Sequence, residues 1–542
     1  MRKTLVMILG AAVAGVVLHG APQAPGSARP AESKAGTVSG RITAADSGKP
    51  LRRARVTLVP ATQPAGGPAI TANTNAAGQF EAKEVPPGSY FVAATRSGYL
   101  GLQYGQRRSR EKGLSVEVRA GVIVERIDVE LPRGGVLAGT VSDELGEPYP
   151  GVRVEALCLR YDRGRRVPFP AGVATTDDRG WFRISGLEPG NYYVSASSAE
   201  TWWTEKKEAW GYASTYFPSA PNEHGRPIAL GASAIKSGIH LALQASRAVR
   251  VSGRILRETG DPVPPGSGVS LAYSYPGVIM TAGTRSTRTD ATGAFEFRNV
   301  AGGSYMVSAA GASHAVTVAG EEISNLLLVS RTGSTVNGTL LTDEGTPPPF
   351  STQGVRVLLD APFGNVLGTV RVVQMDTDWS FKLQNLGGPF LFRLIGLPDG
   401  WMLQSVRLDD HDITDVPWDA PTGGREFSGL TMVVTRKAGT VGGTVAESND
   451  KPTGAATVLL FADDPGLWIP GSRVVRTTRP GADGRFSITG LPGGTYRAVA
   501  LDFVEEGQWE SADFLEQVRG EAKRFVLEEG REETIALKVP RR

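Results

Sequence analysis

Five histidines are the first place to look for chemistry in this 542-residue chain: His19, His224, His240, His314 and His411. A zinc peptidase centre needs His-x-x-Glu plus a distant histidine, so that three protein ligands hold the metal and a fourth position stays open for the attacking water. The tetrads His224-Gly-Arg-Pro, His240-Leu-Ala-Leu, His314-Ala-Val-Thr and His411-Asp-Ile-Thr put no glutamate at the required place, and His19 falls in the expected signal peptide over 1–24. Neither His-Glu-x-x-His nor Gly-x-Ser-x-Gly nor a phosphate-cradling Gly-x-x-x-x-Gly-Lys-Ser/Thr occurs. The expectation is therefore a protein that is not an enzyme, with no catalytic residue, cofactor or metal site. An unrecognised hydrolase is the alternative to test.

Two further groups could do chemistry. The acidic run Leu408-Asp-Asp-His-Asp-Ile-Thr-Asp415 invites a calcium loop, but the glycine and terminal glutamate of the usual twelve-residue loop are missing, so a solvated turn is expected. Aromatic side chains gather in Thr201-Trp-Trp-Thr-Glu-Lys-Lys-Glu-Ala-Trp-Gly-Tyr-Ala-Ser-Thr-Tyr-Phe217, amid charged residues. Trp202, Trp203, Trp210, Tyr212 and Tyr216 could stack on sugar rings or anchor a protein partner. They could equally fold back to cap a sheet or pack on a neighbouring domain, and Tyr99-Leu-Gly-Leu-Gln-Tyr104 occupies the same relative place earlier in the chain. Trp401, Trp418, Trp468 and Trp509 lie in comparable segments, where packing is expected.

The elements that would position these residues follow from composition and repetition. Lys plus Arg is 58 and Asp plus Glu is 55, without blocks of one sign, which argues against a nucleic-acid partner. With 68 Gly and 36 Pro, turns must be frequent and strands short. Arg2, Lys3 and the apolar run Leu5 to Leu18, followed by small residues, read as a secretory signal peptide over 1–24, too short to span a bilayer. Residues 25–34, rich in Pro, Ala and Ser, read as a disordered leader, and no later stretch could span a membrane. The sole cysteine, Cys158, rules out an intramolecular disulfide and reads as a buried strand residue.

One pattern recurs five times. An apolar-x-Gly-x-apolar strand opens each copy, at Gly40, Gly139, Gly253, Gly338 and Gly443. The distance from that glycine to a core phenylalanine (Phe80, Phe182, Phe295, Phe381, Phe486) is 40, 43, 42, 43 and 43 residues. A second aromatic follows nine or ten residues later, after a Gly-rich turn: Tyr90, Tyr192, Tyr305, Phe390 and Tyr496. Between them lies a hairpin such as Thr176-Asp-Asp-Arg-Gly-Trp-Phe182, where aspartate bonds its own turn and glycine supplies a positive φ. The fourth copy departs, with Trp379 in place of the hairpin glycine and Pro389-Phe390 in place of the small residue and tyrosine. Alternation within each copy predicts about seven short strands, the first at a sheet edge, in an antiparallel sandwich.

These residues resemble the carboxypeptidase regulatory-like domain, a transthyretin-like or prealbumin-like sandwich related to Cna-B repeats and starch-binding-like folds. The resemblance implies an all-β tandem array of five antiparallel β-sandwiches of prealbumin-like or Ig-like type. Its expected bounds are 35–132, 133–248 with the aromatic insert, 249–331, 332–436 (divergent) and 437–542. It also raises the internal Lys-to-Asn cross-link of some Cna-B relatives. The opening strands carry Arg41, Thr140, Arg254, Thr339 and Thr444 where a lysine would be needed. Joins as short as Pro132-Arg133-Gly134 suggest a semi-rigid rod. The role that fits is an exported structural or interaction scaffold, periplasmic, surface-bound or secreted, holding a protein or glycan partner of the cell envelope. A carbohydrate-binding surface protein is the alternative.

Overall fold

The computed structural model describes residues 35–540 apart from 62–68, 112, 221–224, 276–277, 280–283, 310 and 364–370. The expected signal peptide at 1–24 and leader at 25–34 lie outside the described residues. The regular secondary structure is almost entirely β-strand, arranged as five successive pairs of sheets, each pair enclosing its own apolar core.

The second pair shows the plan. Its first sheet has the order Trp181–Leu187, Gly135–Ser142, Ile235–Ala242, and its second runs Arg165–Thr175, Arg153–Asp162, Gly190–Ser197, Thr215–Tyr216, with Ile228–Leu230 alongside. The opening strand Gly135–Ser142 thus lies in the middle of its sheet, antiparallel to the hairpin strand and parallel to the closing strand. The other four opening strands do the same, which corrects the expectation of an edge strand. The closing strand, distant in sequence, takes up the second edge in four units; in the fourth it is itself flanked by Met402–Leu408.

That central position explains the invariant opening glycine of the five copies. A Cβ at Gly40, Gly139, Gly253 or Gly443 would lie 2.2, 1.7, 2.2 or 1.8 Å from the carbonyl oxygen of Ile127, Ile239, Leu326 or Ile535, all in or beside the closing strand. At Gly338 it would lie 2.4 Å from the Phe381 ring. At the first four no larger residue fits without moving backbone, and at Gly338 none fits without displacing the Phe381 ring.

The hairpin is built alike in each unit. Gly78, Gly180, Gly293 and Gly484 have φ of 73°, 70°, 76° and 78°, and Trp379 keeps the same left-handed geometry at 65°. Their carbonyls accept from the opening strand: Ile42 N–H, Val141 N–H, Ile255 N–H, Leu340 N–H and Val445 N–H at 2.8–3.0 Å. A bulky residue at positive φ is costly, and here the indole is buried edge-on against Phe350, centroids 5.2 Å apart. The fourth hairpin is therefore divergent in sequence but equivalent in shape. Thr74, Thr176 and Thr289, all buried, add a clip: each hydroxyl accepts a backbone N–H from Ala54, Val152 or Ser267 and donates to Leu51, Tyr149 or Pro264.

All ten repeat aromatics are buried: Phe80, Tyr90, Phe182, Tyr192, Phe295, Tyr305, Phe381, Phe390, Phe486 and Tyr496. The four tyrosine hydroxyls each donate to the carbonyl four residues back, at Pro86, Glu188, Ala301 and Pro492, 2.7–2.9 Å away. This pins the turn to the core, and burial pushes the Tyr192 hydroxyl pKa up to about 12.

Two features exceed the pattern. A helix, Ala512–Arg519, lays Phe514, Leu515 and Val518 on the outer face of the fifth unit's second sheet. The strand beneath, Thr457–Ala462, is consequently apolar on both faces, and Leu459, Phe461 and Trp468 form a second core there. The chain also folds back on itself. Arg108 pairs with Asp502 at 3.3 Å, Arg166 with Glu505 at 3.4 Å, and Arg479 with Glu111 at 3.8 Å, so the fifth unit meets the first and second. This corrects the rod.

Replacing Tyr192 by Phe removes one hydrogen bond from a filled core, and urea unfolding should show a loss of about 1 kcal/mol. Gly139→Ala forces a methyl into a carbonyl and should cost more, about 1–3 kcal/mol. Equal losses for the two variants would contradict the close approach of the closing strand.

Candidate functional site

The aromatic insert forms a small third sheet on the second unit, Thr201–Trp203, Ala209–Ala213 and Gln244–Arg247. Trp202 stands opposite Trp210 across the first two strands, so these two share a face with Tyr212, two residues on. That face turns inward. Trp202 lies 4.9 Å from Tyr212, which is buried, meets Tyr149 edge-on at 5.1 Å, and donates to Glu144 Oε2 at 2.8 Å. Burial first, then the Glu144 and Glu200 carboxylates, push the Tyr212 and Tyr149 hydroxyls well above the usual phenol range. The Trp210 indole N–H is buried and finds no partner among the described residues. Tyr216 is buried with Leu157 and packs toward Tyr193 and Tyr273, the last belonging to the third unit. Trp203 alone of the five presents itself to solvent, at 64% exposure.

The aromatics of the comparable segments are spent on packing. Trp401 meets Phe350 at 5.1 Å, Trp418 meets Phe427 at 5.2 Å, and the Trp468 indole N–H donates to the Ala462 carbonyl at 2.7 Å. Trp509 packs beside the second core of the fifth unit. Tyr99 sits at the first join, its ring 5.1 Å from the Arg133 guanidinium.

The other chemistry-capable residues stand apart. His240 lies 3.1 Å from the Thr140 hydroxyl, His314 and His411 are exposed on separate units, and Cys158 is buried near Tyr192. Among the described residues no group of three or more His, Cys, Asp or Glu could hold a metal ion. The acidic run is not wholly a solvated turn. Asp412 caps its own turn by accepting from Thr414 N–H at 2.9 Å, and Asp415 is drawn into an ion pair with the fifth unit.

Residues 37–131 and 136–209 match the family model described as carboxypeptidase regulatory-like domain. Over those residues the first two units are similar to carboxypeptidase regulatory-like domains. The third to fifth share their order of opening, hairpin and closing strands. No curated protein matches the chain. Solved structures with local likeness include a streptococcal ancillary pilin, 12% identical, covering 55% of this chain and 99% of that one at a TM-score of 0.20. The Bacillus anthracis TIE protein is 12% identical over 72% of this chain and 68% of that one, TM-score 0.17. A minor pilin of Streptococcus agalactiae is 15% identical over 38% and 95%, TM-score 0.23. At scores this low no role is taken from them.

What the sequence did not disclose is the set of charged pairs between the units. In the second, strands Arg153–Asp162 and Arg165–Thr175 project as a long hairpin whose tip, Arg163-Gly164, has positive φ at both residues. Arg163 donates to Asp360 at 2.5 Å and to the Ala361 carbonyl at 2.8 Å in the fourth unit, while a Cβ on Gly164 would lie 2.4 Å from the Glu510 carbonyl in the fifth. Arg473 of the fifth grips Asp415 of the fourth with two nitrogens, at 2.9 and 2.8 Å, and also donates to the Leu403 carbonyl. Arg393 lies 3.7 Å from the same carboxylate, and burial lowers its pKa to about 10. Burial also holds Glu510 above its ordinary value of 4.5. The only foretaste in the sequence was the clustering of arginine around 160–166.

Arg473 and Asp415 are 12% and 19% exposed, so Arg473→Ala strands a shielded carboxylate. Arg393 remains beside it, and the loss should fall near the lower end of the range for breaking a buried pair, about 3 kcal/mol, read as earlier thermal unfolding of the fourth and fifth units. A raised carboxyl pKa in the folded state means that the Glu510 contribution is greatest below pH 4.5 and declines as pH rises through the raised folded value. Glu510→Gln should flatten that decline. Stability profiles of the two proteins that stay parallel across this window would refute it.

Proposed function

We propose that this chain is an exported, non-catalytic scaffold whose five regulatory-like sandwiches hold a protein or glycan partner of the cell envelope. The observation that carries the reading is where the chemistry-capable side chains go. The repeat aromatics fill five cores, and Arg163, Arg473 and Arg479 join units together through Asp360, Asp415 and Glu111. What remains exposed and distinct in each unit is loop and strand edge, the surface on which such domains can present contacts. Export is supported by the charged and apolar N-terminal run.

Purified protein assayed on peptide and ester panels, with and without added zinc, should give no turnover above buffer. Turnover that co-purifies with the chain through two chromatographic steps would instead favour an unrecognised hydrolase. Glycan binding through the insert is the second reading, favoured by one observation, the exposed Trp203 ring. On that reading Trp203→Ala should abolish retention on a glycan array, because stacking of an aromatic face is lost, whereas Trp202→Ala should chiefly destabilise the second unit.

A further inference from the structure

We infer that the cleft between the second and third units is a binding site for a neutral, polyhydroxylated ligand of one or two sugar rings. This goes beyond the scaffold reading, and it is independent of the Trp203 face, which does not line the cleft. The cleft measures about 490 Å³, inside the range of about 300–1,000 Å³ typical of small-molecule sites.

One wall is the outer face of the second unit's long sheet. Cross-strand register puts Glu155 opposite Ser195 and Arg153 opposite Ser197, and sets Tyr216 beside Ser195 on the next strand. Outer faces of such sheets are free to vary, and this one carries two short rows of hydrogen-bonding groups at strand spacing. The hydroxyls of Ser195, Ser197 and Ser214 make no hydrogen bond with any described residue, so they face the cleft with both donor and acceptor capacity. Glu155 is buried, its side-chain oxygen held by Arg153 Nε at 3.0 Å with acceptor capacity left over.

The opposite wall comes from the third unit. Tyr273 and Tyr305 stack with centroids 4.7 Å apart, and Tyr273 packs toward Tyr216 across the junction. Arg285 is fixed in place by donating to the Asn299 carbonyl at 2.9 Å and to the Arg298 carbonyl. The two walls are tied together, with Gly302 N–H donating to Ser246 Oγ at 2.9 Å.

The charge balance selects the ligand class. Arg153 and Arg285 face Glu155 and Glu200, so the lining is neutral overall and disfavours anions and cations alike. Its hydroxyls disfavour an apolar ligand, which would leave buried polar groups unpaired. A saccharide suits both constraints: its ring hydroxyls pair with serines, carboxylate and guanidinium, and its C–H face lies against tyrosine.

The test uses the full chain on an array of neutral mono-, di- and trisaccharides, with the strongest hit titrated by calorimetry. Ser195→Ala/Ser197→Ala should weaken that titration roughly tenfold, as should the shape-conserving Glu155→Gln, and Trp203→Ala should leave it unchanged. A melting temperature matching the parent shows that the variants fold, and Glu155→Gln provides a second reading if the serine pair does not. The inference is overturned if no neutral saccharide binds, if both variants bind as the parent does, if a neutral peptide binds in preference, or if Trp203→Ala alone abolishes binding, which would place the ligand on the insert.

Discussion

The closing strand of each unit lies against the glycine of its opening strand, and the rest of the structure depends on that approach. Parallel pairing of the first and last strands leaves the chain entering a sandwich at one end and leaving at the other. The next opening strand can then start after three or four residues, as from Leu131 to Gly135, Ser330 to Ser334 and Thr435 to Gly439. Parallel neighbours need a long connection, and here the hairpin strand and the second sheet together serve as that connection. A side chain at Gly139 or Gly443 would push the closing strand away, open the core and detach the relay to the following unit.

Such a relay on its own would give a rod. What bends it is a set of pairs between units distant in sequence. The second unit's hairpin extends past its own sandwich, and its tip reaches both the fourth and the fifth units. An exposed surface pair contributes little, but Arg473 and Asp415 are shielded and bidentate, and Arg479 with Glu111 is nearly buried. Charges removed from water are costly to separate, so these pairs specify one arrangement of units even where they add little net stability. Short joins and ionic seams thus act at different levels, the former fixing each step and the latter fixing the path.

The legible part of this fold is the part that repeats. Five copies of a glycine-to-phenylalanine spacing expose the hairpin, the core aromatics and the number of units, because a period-two strand and a positive-φ turn impose local residue choices. The pairing of opening and closing strands was invisible, since nothing in Gly36–Ala44 names its distant partner and a central strand with one glycine reads like an edge. Trp379 concealed an unchanged turn: tertiary burial of the indole overrode the backbone preference. The helix Ala512–Arg519 was overlooked because it is eight residues long, although Ser511 before it and Gly520 after it are ordinary boundary residues. In the aromatic insert, composition marked the place, but only cross-strand register shows that Trp202, Trp210 and Tyr212 share the inward face while Trp203 takes the other.

A repeated sandwich has little freedom inside and much outside, and the outer faces of the second sheets show how that freedom is used. In the fifth unit that face is apolar and covered by its own helix. In the second unit the corresponding face is divided. Near the hairpin tip it carries arginines that meet the fifth unit, and toward the third unit it carries Glu155, Ser195 and Ser197. A seam meant only to hold two domains together would gain more from apolar contacts or a closed ion pair than from open hydroxyls, because every polar group kept unpaired in a narrow space weakens the junction. The second and third units already have their attachment in the Tyr216–Tyr273 packing and the Ser246 bond. The hydroxyl-lined space beside them contributes nothing to that attachment, which is the physical reason to look for function at this seam before any other.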